Sequence, residues 1–303
     1  MGLVVWYPDG QMSPHRLMRG LVLCAALACS SACAIATTAH SDRSDHTIAL
    51  RESVAATVLH GKHLDLHIAT PAPLVHPDVL VVYASGDGGW FGAAVDQWRK
   101  IAQSGYATVG FSSRSFLRIE RPPGAALNAA SLANEYELIV QDARRALGRQ
   151  DTPKVILAGW SRGAAFAVLA GSEPVFRDSL VGVMAIGLAE GENLTVDDSD
   201  DTDDGRAPET SRHWLFDSYA RLLQLPAPYA VIQATGDNYF PAADARQRFG
   251  ADTATRRFYQ VEAKNHRFSG GSAAFDAALM DVLTWLSSSA SKAGAHARGD
   301  RLG

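Results

Sequence analysis

The chain has 303 residues, of which 47% are hydrophobic and 20% are charged, as is typical of a soluble globular protein. A formal net charge of −4 argues against nucleic acid as a partner, because nucleic-acid binding requires a basic face. The three cysteines, Cys24, Cys29 and Cys33, all precede Ala36, so a chain without that segment has neither a disulfide nor a cysteine nucleophile.

The first predicted element is a targeting segment, Met12–Ala39. Arg16 and Arg19 supply the positive charge that opens such segments, and residues 21–28 form an apolar core. Ala34–Ala36 is a small-x-small cleavage site. The sequence therefore predicts a signal peptide.

We expect cleavage after Ala36, which removes residues 1–36 and leaves residues 37–303 as a single mature domain in the periplasm or outside the cell. Three alternatives stay open at this point. Cleavage could follow Thr37–Ala39 instead, the segment could stay as a membrane anchor, or Cys29 could carry a lipid. The abundance of alanine, serine and cysteine in the segment favours cleavage.

The mature chain opens with two strand-like segments, Val54–His60 and Leu64–Ala69, joined across Gly61-Lys62. They predict an antiparallel hairpin at the edge of a sheet. From Val79 onward strands and helices alternate, which predicts an α/β fold with a mostly parallel, doubly wound sheet. The further predicted strands are Val79–Ala84, Tyr106–Phe111, Val155–Ala158, Val181–Ile186, Tyr229–Ala234 and Arg257–Val261. The predicted helices are Ala93–Gln103, Ser131–Leu147 with Ser131 as N-cap, Arg162–Gly171, Pro241–Phe249 and Ser272–Ser287.

A glycine-rich loop, Ser85–Trp90, follows the strand Val79–Ala84. Its glycines allow the backbone to turn an amide inward, and we assign the N–H of Asp87 as one donor of an oxyanion hole. A phosphate-binding loop is excluded, because the chain contains neither G-x-x-x-x-G-K-[ST] nor G-x-G-x-x-G.

The pentapeptide Gly159–Gly163, with the sequence Gly-Trp-Ser-Arg-Gly, lies between an apolar run and a helical run of small residues. This strand–turn–helix context is the one in which G-x-S-x-G forms a nucleophile elbow. The two glycines avoid clashes in the tight turn, and the serine is presented at a helix N-terminus. We therefore predict Ser161 as a nucleophile and the N–H of Arg162 as the second oxyanion donor.

Two further residues complete a catalytic triad in the chain order serine, acid, histidine. Asp237 follows the predicted strand Tyr229–Ala234, and His266 lies in a downstream strand-to-helix loop. We predict His266 as the general base and Asp237 as the acid that orients it. Glu190 and Glu192 are alternative acids, because some hydrolases take this residue from the end of the preceding strand.

Four aromatic residues lie near these turns. Trp90 and Trp160 flank the two catalytic turns and are predicted to line a substrate pocket. Trp98 and Phe166 have the helical spacing of core residues, and we expect them to be buried.

An acidic run, Asp197–Asp204, occupies the position at which many hydrolases of this type carry a lid. A calcium loop is excluded, because the glutamate at its twelfth position is missing. We interpret the run as a solvated insertion that forms a small acidic lid. Together with Asp87, Glu190 and Glu192, it would attract a cationic substrate group.

The segments Tyr83–Trp90 and Gly159–Gly163 together resemble the VirJ-type bacterial virulence proteins, whose module also forms the C-terminal part of the AcvB-type proteins. The similarity extends from about Val79 to about Leu286. The resemblance implies an α/β-hydrolase fold and a periplasmic serine hydrolase. The activity that it implies is cleavage of the aminoacyl ester of lysyl-phosphatidylglycerol, an envelope lipid.

Two later segments also agree with this family, since Gly236–Asn238 and Asn265–Phe268 fall where it has its acid and its histidine. Arg162 departs from the pattern, because an aromatic residue often follows the serine in the family. The acidic run also looks particular to this chain. Both departures bear on the substrate more than on the catalytic groups.

The reaction expected from these residues is two-step acyl transfer to water, which requires neither a metal nor an organic cofactor. The substrate is a small-molecule or lipid ester, and contacts with the membrane surface and with secretion-system proteins are compatible with it. Two alternatives are a carboxylesterase or lipase acting on neutral esters, and a non-catalytic periplasmic scaffold or chaperone of a secretion system. The sequence thus predicts a signal peptide over 1–36 and a single VirJ-like α/β-hydrolase domain over 37–303.

Overall fold

The computed structural model describes residues 48–123, 127–152, 154–194 and 216–299, with side chains as far as residue 289. These residues belong to one compact unit. The predicted targeting segment, with its three cysteines, and the acidic run Asp197–Asp204 lie outside the described residues.

The described chain begins with a long antiparallel hairpin of strands β1 (Ala49–Leu59) and β2 (Lys62–Ala72). The register is unbroken from Ala49 opposite Ala72 to Leu59 opposite Lys62. The turn residues are His60 and Gly61, with φ of 51° and 77°, as a tight hairpin turn of the mirror-image type requires. The hairpin was predicted, but the turn lies one residue earlier than Gly61-Lys62, because Lys62 already pairs with Leu59.

An eight-stranded sheet forms the centre of the fold. Its other strands are β3 (Val79–Ala84), β4 (Ala107–Phe111), β5 (Lys154–Trp160), β6 (Leu180–Ile186), β9 (Tyr229–Ala234) and β10 (Arg256–Val261). The strand order is β1-β2-β4-β3-β5-β6-β9-β10, and every pair from β4 to β10 is parallel. Two short strands, β7 (Gly191–Glu192) and β8 (Phe216–Asp217), pair separately at the base of the acidic insertion. The predicted mostly parallel sheet with an antiparallel edge hairpin is confirmed.

Helices cover both faces of this sheet. They are α1 (Ala93–Gln103), α2 (Ser113–Leu117), α3 (Ala129–Ala146), α4 (Arg162–Ser172), α5 (Ser218–Leu222), α6 (Ala242–Phe249) and α7 (Ser272–Gly299). Side chains of α1 and α7 form the core on one face, and those of α3, α4 and α6 form it on the other. Because both faces are covered, β6 is buried at every position, which explains its continuous apolar sequence. Among the described helices, none is both long and apolar enough to cross a membrane.

Helix α3 begins earlier than predicted. Its N-cap is Asn128, whose side chain accepts a hydrogen bond of 3.0 Å from the N–H of Ser131. The Ser131 hydroxyl in turn accepts one of 2.9 Å from the N–H of Asn128. Ser131 is therefore the third helical residue of a reciprocal capping box rather than the N-cap, because Asn128 satisfies the exposed amides first.

Candidate active site

Ser161 lies at the sharp turn between β5 and α4, with φ of 57° and ψ of −124°. This is a strained conformation for any residue with a side chain. A Cβ atom on Gly159 would lie 2.1 Å from the carbonyl oxygen of Gly163, and one on Gly163 would lie 2.1 Å from that of Ala84. Both flanking positions therefore require glycine, and the serine is raised over the carboxyl edge of the sheet at the start of a helix.

Asp237 follows β9, and its side chain is completely buried. One carboxylate oxygen accepts hydrogen bonds from the backbone N–H groups of Tyr239 and Phe240, at 2.9 and 3.3 Å. The other accepts from the side-chain amide of Gln233 at 3.0 Å and contacts Nδ1 of His266 at 2.7 Å. Four donors thus fix this carboxylate in one orientation.

His266 follows β10 and is held from several sides. Its ring stacks on that of Trp160 at 5.5 Å, and the Trp160 indole N–H donates to the His266 carbonyl at 3.2 Å. The ring of Tyr239 meets it edge-on at 4.9 Å, and a Cβ on Gly187 would lie 2.7 Å from Cε1 of the imidazole. Nε2 is buried and has no hydrogen-bond partner among the described residues. The imidazole is therefore oriented through Nδ1.

The loop after β3 passes directly over the serine. A Cβ on Gly86 would lie 3.1 Å from Cβ of Ser161. The Gly86 carbonyl accepts hydrogen bonds from the Ser113 hydroxyl at 3.0 Å and from the Ser85 hydroxyl at 3.2 Å. Because C=O and N–H point in opposite directions across a trans peptide, the N–H of Asp87 points away from Ser113. The assignment of that amide to an oxyanion hole stays a prediction.

A charged cluster adjoins the loop Ser85–Trp90, named the oxyanion loop after the predicted role of its Asp87 amide. Nε of Arg162 lies 2.7 Å from a carboxylate oxygen of Asp87 and 3.1 Å from one of Glu192. Glu192 also accepts from the N–H of Asn193 at 2.9 Å. Burial raises the pKa of Glu192 to about 7, while Arg162 opposes this shift and Asp87 adds to it. Burial is the largest of these contributions to the pKa, and the same guanidinium also lies beside Asp87.

The structure separates the three candidate acids. Asp237 contacts His266, whereas Glu192 pairs with Arg162. Glu190 pairs with Arg248 at 3.5 Å, and Arg248 also contacts Asp217. Of the three, only Asp237 contacts His266, and the two glutamates belong to ion pairs with arginines.

The two tryptophans predicted to line the pocket have different surroundings. Trp160 packs against His266. Trp90 instead stacks on His67 at 4.4 Å and meets Trp98 edge-on at 5.4 Å. A Cβ on Gly110 would overlap the Trp90 ring at 2.0 Å. Trp90 thus packs above β4 beside α1, and its place in a pocket wall stays a prediction. Trp98 and Phe166 are buried, as expected of core residues.

Sequence reasoning missed several residues that support the site. Gln233 orients Asp237, and Ser113 holds the oxyanion loop. Gly187 leaves room for the imidazole, with φ of 58°. A glutamine inside the otherwise apolar strand β9 was a usable signal, because a buried amide needs partners. Ser113 and Gly187 carried no such signal, since their roles depend on contacts with distant segments.

Within the described ranges, no group of three or more histidine, cysteine, aspartate or glutamate side chains is close enough to hold a metal ion. The carboxylates around Ser161 pair with arginines and with His266.

Comparison with known proteins supports this description. Residues 78–192 match the profile of the family described as bacterial virulence protein (VirJ). This range contains the oxyanion loop, the nucleophile elbow and Glu192, and it ends before Asp237 and His266. The family match is thus shorter than the similarity expected from about Val79 to Leu286. No curated protein matches the chain.

Solved structures match nearly all of the described part. Est1E from Butyrivibrio proteoclasticus is 12% identical with a TM-score of 0.57, and the match covers 78% of this chain and 99% of that one. XC6422 from Xanthomonas campestris, an α/β serine hydrolase without a lid, is 15% identical with a TM-score of 0.54, covering 77% and 94%. A dienelactone hydrolase from Anabaena variabilis is 16% identical with a TM-score of 0.52, covering 78% and 97%. The chain therefore has the α/β-hydrolase fold, and over residues 78–192 it is similar to the VirJ family of bacterial virulence proteins.

Proposed function

We propose that this protein is a serine hydrolase that cleaves an ester through a Ser161–His266–Asp237 acyl-enzyme mechanism. The proposal rests on two observations, the 2.7 Å contact between His266 and the buried Asp237, and the strained nucleophile-elbow conformation of Ser161. The solved structures of similar fold include a dienelactone hydrolase and an α/β serine hydrolase.

In the proposed reaction, Nε2 of His266 takes the hydroxyl proton of Ser161 as Oγ attacks the ester carbonyl carbon. The negative charge on the carbonyl oxygen is held by the N–H groups of Asp87 and Arg162, at the N-terminus of α4. Collapse of this intermediate breaks the ester bond, and the departing alcohol takes the proton from His266. Water, deprotonated by His266, then hydrolyses the acyl-enzyme and restores the serine.

We further propose an aminoacyl ester of an envelope lipid, such as lysyl-phosphatidylglycerol, as the substrate. The charges beside the site support a cationic group: four carboxylates, those of Asp87, Glu190, Glu192 and Asp217, lie around Arg162 and Arg248. An excess of carboxylates produces a negative field that attracts an ammonium group.

A neutral carboxylester is the second candidate. Phe91, directly after the oxyanion loop, and Tyr239 beside His266 are 63% and 53% exposed, which is unusual for large aromatic side chains. Such side chains favour the apolar acyl group of a neutral ester. Both candidates use the same catalytic groups and differ in the charge of the acyl part.

The first experiment uses protein expressed with its full sequence and recovered from the periplasm, where we propose that it resides. Its mass should correspond to a chain beginning at Thr37, and a mass that retains residues 1–36 would contradict the signal peptide. Lysine release from lysyl-phosphatidylglycerol vesicles and hydrolysis of p-nitrophenyl butyrate are then measured. Both activities should fall by about 10⁴-fold or more in Ser161→Ala.

The matched control is Ser172→Ala at the other end of α4, which should retain full activity. Cleavage of the butyrate ester alone would support the neutral-ester candidate and contradict the lipid substrate. No activity on either compound would contradict the hydrolase and favour the non-catalytic scaffold.

A further inference from the structure

The two residues whose amides are assigned to the oxyanion hole are also joined through their side chains. Nε of Arg162 lies 2.7 Å from Asp87, which connects the first residue of α4 with the loop after β3. The Arg162 side chain is 11% exposed and that of Asp87 is 45% exposed. This ion pair therefore links the two segments whose amides are assigned to the oxyanion hole.

The loop that carries Asp87 needs such a tether. Gly86, Gly88 and Gly89 give its backbone unusual freedom, and Gly89 has φ of 89°. On one side of the Gly86–Asp87 peptide, Ser113 holds the carbonyl at 3.0 Å. On the other side, the Asp87 carboxylate forms an ion pair with Arg162, whose Nε–H donates its hydrogen bond to Glu192. The peptide that would donate to an oxyanion is thus fixed at both ends.

Arg162 is itself held in place from a third direction. Glu192, at 3.1 Å, approaches the same guanidinium nitrogen from β7, and its side chain is also only 11% exposed. A flexible arginine would lose considerable rotamer entropy in contacting Asp87 alone. The second carboxylate reduces this loss, because it keeps the guanidinium positioned between the two acids.

We propose that the side chains of Arg162 and Asp87 are positioning residues, whose ion pair holds the oxyanion loop over Ser161 so that both backbone amides donate to the same oxygen. The inference rests on the proposed function. It differs from a role of Arg162 in binding a substrate phosphate, which would affect substrate affinity. An ion pair that acts on the oxyanion geometry affects the transition state instead.

The test is a double-mutant cycle with Asp87→Asn and Arg162→Gln, which keep both backbone amides. Each single substitution should lower kcat for p-nitrophenyl butyrate by about 10- to 100-fold and change KM by less than about 3-fold, since a small displacement of an oxyanion donor costs about this much. The double variant should be no slower than the slower single variant. Binding of a trifluoromethyl ketone, which forms an oxyanion with the serine, should weaken by the same factor as kcat.

The control is Arg99→Gln, which breaks the exposed pair of Arg99 with Glu52 and should leave all of these values unchanged. The inference would be overturned if the two reductions of kcat multiplied in the double variant. A rise in KM at constant kcat in the single variants would also overturn it. Labelling of Ser161 by a fluorophosphonate separates the two proposals. If the wild-type protein is labelled and active, the proposed hydrolase function stands even when the double-mutant cycle contradicts the positioning role. If it is neither labelled nor active, both proposals are overturned.

Discussion

Four hydrogen-bond donors converge on the carboxylate of Asp237, and one of them comes from a side chain that is not part of the triad. Gln233 donates to Asp237 at 3.0 Å and to the carbonyl of Phe240 at 2.6 Å. It is 1% exposed and lies on β9, the strand that ends just before the acid. Because the same carboxylate oxygen contacts His266, the amide of Gln233 also orients the proposed base.

Replacing Gln233 with leucine should therefore lower kcat by about 10-fold with little change in KM, since the acid loses one of the donors that orient it. Steady-state kinetics with p-nitrophenyl butyrate measures this effect. The matched control is Gln141→Leu, which removes an exposed glutamine that donates to Glu137 at 3.1 Å. An unchanged kcat in Gln233→Leu would show that the backbone amides suffice to hold Asp237.

At the scale of elements, the nucleophile turn depends on backbone contact between one strand, β5, and one helix, α4. A Cβ on Gly159 would meet the carbonyl oxygen of Gly163 at 2.1 Å and its carbonyl carbon at 2.2 Å. Since these atoms belong to backbone, no rotamer change relieves the overlap. The glycines of the G-x-S-x-G motif are therefore required for the close approach of β5 and α4, whereas its serine supplies the proposed nucleophile.

Gly159→Ala should lower the free energy of unfolding by about 3 kcal/mol or more and abolish ester hydrolysis, because β5 and α4 must move apart. Urea denaturation measures the first effect. Gly148→Ala is the control: Gly148 has φ of 62° with open space around it, so alanine there should cost only about 1–2 kcal/mol. Equal losses in the two variants would argue against the contact as the cause.

At the scale of the whole molecule, the sheet brings loops from β3, β5, β9 and β10 to one edge, where the carboxyl ends of its parallel strands meet. The same arrangement buries Glu192 beside Arg162 and Asp87. Burial raises the pKa of Glu192 from 4.5 to about 7, so the folded state binds a proton more readily than the unfolded state. The resulting stabilisation is present at acidic pH and is lost as the pH rises through about 7.

The free energy of unfolding of the wild type, relative to that of Glu192→Gln, should therefore fall by about 2–3 kcal/mol between about pH 5 and 8. Urea denaturation of both proteins across this range measures the difference. Glu262→Gln, at an exposed position, serves as the control. A difference that does not change with pH would mean that Arg162 keeps Glu192 ionised throughout.

Local patterns in the sequence sufficed to predict the alternation of strands and helices, the edge hairpin and the elbow around Ser161. Each depends on residues close together in the chain: apolar runs, turn glycines and the G-x-S-x-G spacing. Candidate residues for the acid and the base also followed from chain order. The N-cap of α3 lies three residues before the predicted Ser131, because Asn128 caps the helix, and the hairpin turn lies one residue before the predicted position.

Only the tertiary structure decided which acid faces His266, what Arg162 pairs with, and that Trp90 packs above β4. Asp237 and His266 follow different strands, and Glu190 and Glu192 stayed open as alternative acids in the sequence. Hydrogen bonds and ion pairs form over a few ångströms, so their partners depend on how distant segments are brought together by the sheet. Sequence alone determined which chemical groups this protein carries, and the packing of the sheet determined which of them act on one another.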